Sequence, residues 1–287
     1  MRFLWIAILA AGRGFAQTPS PGAFQCTEDD MQSFGMSCSA EEPCPVYLEL
    51  SAIESLGVKL FLSGNFHTDS TTLYSVLLVT EDGGNTWTEP HERIRASALE
   101  GIQFNDLEYG WVGGQSIQSI PRDPFFLLTS DGGKTWRVRP VFGETRVGAV
   151  EQFVFESRTQ GHLLIDRTQR GDSGGRHELY ESQTGGESWT LRQVSDKTIP
   201  FKWNRPGNPD WRIQPDTKTK SLRVEKRLND KWVLVSSFPV KAGECKISER
   251  KMAEPPPEAE AAPEKMPADP GVFVVPSGKA PPKKKKQ

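Results

Sequence analysis

The chain has 287 residues, 36% hydrophobic and 25% charged, an ordinary globular composition long enough for one large domain or two small ones. The net charge of −2 is uneven: −5 over residues 17–46, −2 over 47–245 and +3 from residue 246 onward. The folded part therefore has no basic field of the kind nucleic-acid binding needs, which argues against a nucleic-acid partner.

Residues 1–16 read as a signal peptide. Arg2 supplies a positive start, residues 3–12 are apolar, and the small Gly14 and Ala16 suit cleavage after Ala16. Ten apolar residues are too few to span a bilayer as a helix, and no other stretch is long enough. Export makes the cysteines interpretable. Cys26, Cys38, Cys44 and Cys245 are four, and an even count in an oxidising compartment suggests two disulfides, with three pairings open. No cysteine or histidine spacing fits a metal, and no cofactor motif is present. Residues 17–45 form an irregular acidic lead-in pinned by cysteines.

From residue 46 a pattern repeats. Thr80, Asp82, Gly84, Thr86 and Trp87 recur as Thr129, Asp131, Gly133, Thr135 and Trp136. They recur again as Ser182, Thr184, Gly186, Ser188 and Trp189, the tryptophans lying 49 and 53 residues apart. Upstream of each turn, short apolar runs recur too: residues 102–104 then 110–113, and 153–155 then 161–164. Each repeat reads as one four-stranded antiparallel sheet. A decayed fourth copy places strands at residues 201–203, 211–213, 221–225 and 231–235, with Leu228, Asn229 and Asp230 where the turn glycines were. The sheets span about 46–92, 97–142, 148–194 and 198–240 within a domain of residues 46–245. Residues 246–287 hold nine prolines among Ala, Glu and Lys. Such a segment buries too little apolar surface to offset ordering entropy and reads as a disordered tail. It carries an apolar island at residues 271–275 and ends in Lys283–Lys286, a weak candidate for contact with an anionic surface.

The repeated motif suits a tight hairpin turn. Asp accepts backbone N–H bonds, Gly supplies positive φ, the hydroxyls close local bonds, and Trp begins the next strand and packs its ring into the sheet interior. Thr184 in place of Asp weakens one acceptor, so the third turn should be looser. The three turns resemble the Asp-box, or BNR, repeat of sialidases, sortilin-type receptors and photosystem II stability/assembly factors. That resemblance implies an all-β fold, a β-propeller of about four four-stranded antiparallel blades. Closing the ring joins the first and last blades, so a Cys44–Cys245 disulfide is expected to tie it shut, with Cys26–Cys38 pinning the lead-in.

The motif speaks for architecture and says little of activity. A sialidase-like glycosidase needs an arginine triad, a Tyr–Glu pair and an acid. The Arg-Ile-Pro signature of that family is missing, the nearest strings being residues 118–122 and 198–200. Tyr47, Tyr74, Tyr109 and Tyr180 read as sheet packing, and His67, His91, His162 and His177 are scattered. Residues 171–175 resemble a serine-protease string without its partners. The expected function is therefore a non-catalytic binding or assembly scaffold for a protein or glycan, with loops 91–95, 119–124 and 204–209 as candidate surfaces and glycoside hydrolysis as the alternative.

Overall fold

The computed structural model describes residues 21–168, 175–203 and 208–246. The expected leader, the tail with its apolar island and lysine run, and most of the 171–175 and 204–209 loops lie outside them.

The chain is an all-β propeller of four antiparallel blades. The lead-in holds its single described helix, α1 (Glu28–Ser33), where irregular chain was expected. A capping box explains it: Asp30 N–H donates to Thr27 Oγ1 at 3.1 Å, and Thr27 N–H donates back to Asp30 Oδ2 at 2.8 Å. Blade 1 contains β1 (Cys44–Leu56), β2 (Lys59–His67) and β3 (Thr72–Thr80). Blade 2 contains β4 (Ser97–Phe104), β5 (Gly110–Gln118), β6 (Ile120–Thr129) and β7 (Arg137–Pro140). Blade 3 contains β8 (Ala149–Phe155), β9 (Gly161–Asp166), β10 (His177–Ser182) and β11 (Thr190–Ser195). Blade 4 contains β12 (Trp211–Asp216), β13 (Ser221–Leu228) and β14 (Lys231–Pro239).

Blades 2 and 3 follow the four-run reading of the sequence in order. Blade 1 departs from it. Trp87 opens no strand; Thr88 makes a single bridge to Val79. The fourth place is taken by β15 (Lys241–Cys245), which pairs with β1 and sets Cys44 opposite Cys245. The end of the repeat domain thus hydrogen-bonds to its beginning.

Blade 4 departs further, with three strands in place of four among the described residues. Residues 201–203, expected as its first strand, belong to no sheet. Pro200 beside them lacks the N–H a ladder requires. Phe201 and Trp203 instead join Leu164, Leu179 and Ile199 in a cluster on blade 3, Trp203 stacking on His162 at 3.7 Å. The Leu228–Asp230 segment is no repeat turn either. Asn229 and Asp230 take φ of 47° and 60°, forming the two-residue hairpin that joins β13 to β14.

The disulfides correct the expected pairing. They are Cys26–Cys245 and Cys38–Cys44, and neither Cys44–Cys245 nor Cys26–Cys38 forms. Strand register does bring Cys44 opposite Cys245, but the lead-in runs along the other side of β15. Phe24 N–H donates to Ala242 O at 3.0 Å, and a Cβ on Gly243 would sit 2.2 Å from Phe24 O. That close approach delivers Cys26 to Cys245. The chain then reverses after α1 at Gly35, φ 61°, and returns Cys38 to Cys44.

Apolar side chains fill the seams between blades. Phe61, Leu77, Val112 and Leu127 join blades 1 and 2, while Trp111, Phe126, Phe153 and Leu163 join blades 2 and 3. Leu222, Val224 and Phe238 of blade 4 pack with Leu60, Leu62 and Trp87 of blade 1. Gln103 adds a two-point link: its Nε2 donates to Phe155 O at 2.8 Å and its Oε1 accepts from Phe155 N–H at 3.0 Å.

Candidate binding cleft

The repeated turns use their polar groups on themselves. In the first, Asp82 Oδ1 accepts from Thr80 Oγ1 (2.8 Å) and Thr86 N–H (2.9 Å), and Asp82 Oδ2 accepts from Thr86 Oγ1 (2.6 Å). Gly84 N–H donates to Thr80 Oγ1 at 2.9 Å, and Trp87 Nε1 donates to Gly84 O at 3.2 Å. The second turn repeats this through Thr129, Asp131, Gly133, Thr135 and Trp136, Thr135 Oγ1 meeting Asp131 Oδ2 at 2.6 Å. Bonds from the Thr86 hydroxyl and N–H hold the Asp82 carboxyl at about 2. At Asp131 burial pushes upward, but the bonds from Thr135 and Thr129 prevail and hold it at about 2. In the third turn Gly186 N–H donates to Ser182 Oγ and Ser188 N–H to Thr184 Oγ1, each at 2.9 Å. Thr184 has one oxygen where Asp has two, and Trp189 Nε1 is buried without a hydrogen-bond partner among the described residues. The acceptors of these residues are thus occupied within their own turns.

The inner strands of blades 1–3 present polar groups by a different device. Each has a register shift that leaves one residue out of the ladder: Ser51 in β1, Glu100 in β4 and Glu151 in β8. All three are exposed. The signal was present in the alternation of β1, β4 and β8, which slips by one residue at these positions, but no single-residue motif marks it.

At the ends of the strands remote from the repeat turns lies a cleft of about 890 Å³ between blades 1 and 2 and α1. Glu49, Asn65, Thr68, Arg95 and Glu100 line it together with Ser51. Two of its carboxylates, Glu49 and Glu100, are held by amides, and Asp69 lies on the same lining. Asn65 Nδ2 donates to Glu49 Oε2 at 3.2 Å, and Gln115 Nε2 donates to Glu100 Oε1 at 2.8 Å. Gln115 is itself held, its Oε1 accepting from Val150 N–H at 2.8 Å. Although the residue is exposed as a whole, desolvation of its carboxyl in the cleft, and then the like charge of Glu49, push Glu100 up against the opposing Gln115 bond. On the rim Arg95 pairs with Asp29 at 2.6 Å and lies over the Phe34 and Tyr74 rings. Tyr74 OH donates to Asp30 Oδ1 at 2.5 Å, so the lead-in helix is fastened to blade 1 at the cleft wall. Of the candidate loops, Arg95 and Ser119 reach this cleft, while His91 bonds locally to Glu92 O.

A Tyr–Glu–Arg group does exist, in blade 3. Tyr180 OH donates to Glu178 Oε2 at 2.6 Å, and Arg167 Nη1 and Arg146 Nη2 reach Glu178 Oε1 at 2.6 and 3.0 Å. Tyr180, Glu178 and Arg167 are buried at 4%, 3% and 6% exposure. Both arginines point at Glu178, where a substrate carboxylate would need them. Burial, then Glu178, raise the Tyr180 hydroxyl above its ordinary range, the wrong direction for a nucleophile. The group ties the loop that carries Arg146 into blade 3.

No protein-family model matches the chain, and no curated protein matches it. Among solved structures it is similar to YCF48 bound to D1 peptide, at 14% identity and a TM-score of 0.38, covering 67% of this chain and 54% of that one. It is similar to YCF48 from Cyanidioschyzon merolae at 15% identity and a TM-score of 0.35, covering 67% and 51%. It is also similar to the α-L-arabinanase of Penicillium chrysogenum complexed with arabinobiose, at 15% identity and a TM-score of 0.34, covering 69% and 62%. This chain thus spans about half the length of the two YCF48 chains.

Proposed function

We propose that this chain is an exported, non-catalytic propeller that binds a partner polypeptide at the cleft between blades 1 and 2 and serves as a binding or assembly scaffold. The observation that carries the reading is the pair Glu49 and Glu100. Each carboxylate is held by a fixed amide, and their mutual repulsion would be relieved by a cationic side chain placed between them. A rigid sheet wall with preset acceptors binds with little ordering cost. Two disulfides and the leader expected at residues 1–16 support export. No helix among the described residues is long and apolar enough to cross a membrane. The repeat-turn residues are proposed to be structural, with no catalytic role.

Glycoside hydrolysis is the second reading, and one observation favours it. Glu49 and Glu100 share a cleft, with Asp69 also on its lining, and Glu100 is raised, the arrangement by which glycosidases divide acid from base or nucleophile. The experiment runs both readings together. The full chain and its Glu49→Gln/Glu100→Gln variant are used to capture proteins from the exported fraction, and both are incubated with a panel of aryl glycosides. Binding predicts a reproducible partner that the variant loses, with no hydrolysis. Glu100-dependent hydrolysis without a partner would replace the proposal with the second reading.

A further inference from the structure

Outer edges of the sheets are treated unequally. In blade 2, β7 carries Arg137 and Arg139, both paired with Glu187 of blade 3. In blade 3, β11 carries Arg192, paired with Glu181 at 2.7 Å. Charges of this kind discourage another strand from adding to an edge. The edge strand of blade 4 carries one cation, Lys231 at its first position, and residues 232–240 contain no charged side chain. Among the described residues β14 pairs with β13 on one side and with no strand on the other. Four of the chain's exposed large apolar residues gather on this one hairpin: Leu228 at 47%, Trp232 at 36%, Val233 at 43% and Leu234 at 49%. Trp232, Val233 and Leu234 are consecutive in β14, so exposed apolar side chains alternate onto both faces of this edge. The rest of β14 is occupied, since the first repeat turn sits over Val235 and Ser236, with Ser236 Oγ bonded to Gly84 O at 2.7 Å.

We propose that β14 is a homodimerisation strand, pairing antiparallel with β14 of a second copy about a two-fold axis at Val233. A second copy fits because the segment is complementary to itself. The two-fold sets Val233 opposite Val233 and Trp232 opposite Leu234, so the three central facing pairs are apolar and no like charges meet. The nearest cation, Lys231, falls opposite the other copy's Val235, outside the apolar centre. Arg212 already covers one face of Trp232, its guanidinium 4.2 Å from the ring, which presents the indole in a fixed orientation. An isologous contact of this kind uses up the edge in both copies and stops at two.

The test is molar mass in solution across a concentration series, on the full exported chain. The wild type should weigh twice the monomer. Val233→Lys sets two ammonium groups against each other on the axis and should run as a monomer that still melts cooperatively, at a temperature that no longer rises with concentration. Val138→Lys, at an equally exposed site on β7, should remain a dimer. Val233→Cys should give a covalent dimer on mild oxidation, which reads the geometry even if the lysine variant fails to fold. A wild type that is monomeric throughout, or a folded Val233→Lys variant that keeps the dimer mass, would overturn the proposal.

Discussion

Replacing Cys26 and Cys245 by serine should cost far more stability than replacing Cys38 and Cys44. The first bridge closes a sequence separation of 219 residues, the second a separation of 6. In the chain-entropy model these loops correspond to about 5 and about 2 kcal/mol. Burial does not separate the two variants: Cys245 and Cys38 are both buried, so each variant gains one buried serine hydroxyl, which adds up to about 1–3 kcal/mol if unpaired. Loss of the long bridge also frees the lead-in from β15 and, with it, α1 at the cleft wall. The assay is urea unfolding of the two double variants, followed by the fluorescence of the 8 tryptophans and extrapolated linearly to water. The expected order is wild type, then the Cys38/Cys44 variant, then the Cys26/Cys245 variant, with a gap of about 3 kcal/mol between the variants. Equal losses would refute the reasoning, because they would mean that loop length and the β15 contact do not set the cost. Peptide mapping without reduction gives an independent reading, since a Cys44–Cys245 peptide would contradict the connectivity itself.

Three further outcomes are expected. Thr184→Asp should restore the second acceptor oxygen of the third turn and raise the melting temperature, by about 1 kcal/mol of stability; an unchanged or lower melt would show that the turn is not limited by that acceptor. Asp82 and Asp131 are both held at about 2 in the fold, against about 3.9 in the unfolded chain. Their contribution is whole above about pH 4 and is lost as pH falls toward about 2, so a Thr86→Val/Thr135→Val variant should show a shallower loss in acid denaturation; parallel curves would refute the linkage. Gln103→Ala removes both bonds to Phe155 and should destabilise the blade 2–3 seam by about 2 kcal/mol in the same urea assay, an effect below about 0.5 kcal/mol placing the seam's strength in its aromatic packing alone.

What the sequence made legible was whatever recurs. The three turns carry their own bonding partners within eight residues, so Thr80, Asp82 and Thr86 could be read as one unit and then found twice more. Blades 2 and 3 followed, because each is a local meander. What was not legible depends on chain segments far apart. The inner-strand register shifts at Ser51, Glu100 and Glu151 are set by pairing across the sheet. The cleft joins Glu49, Arg95 and Glu100 with α1, and its amide supports Asn65 and Gln115 come from other strands. The cysteine pairing turned on a lead-in strand contact, Phe24 to Ala242, that leaves no pattern in either segment. Blade 4 misled because Phe201, Trp203 and their spacing resemble a strand start. Their rings were instead recruited by the apolar face of blade 3, where Leu164 and Leu179 needed cover.

The central claim, binding at the cleft, is tested most directly by site-specific photo-crosslinking. A photoreactive residue at Ser119, on the cleft, is compared with one at Val138, on the outer strand of blade 2, in the compartment where the chain functions. The account predicts a discrete protein adduct from position 119 that disappears in the Glu49→Gln/Glu100→Gln background, and none from position 138. No adduct from position 119, or one that persists in that background, would contradict it.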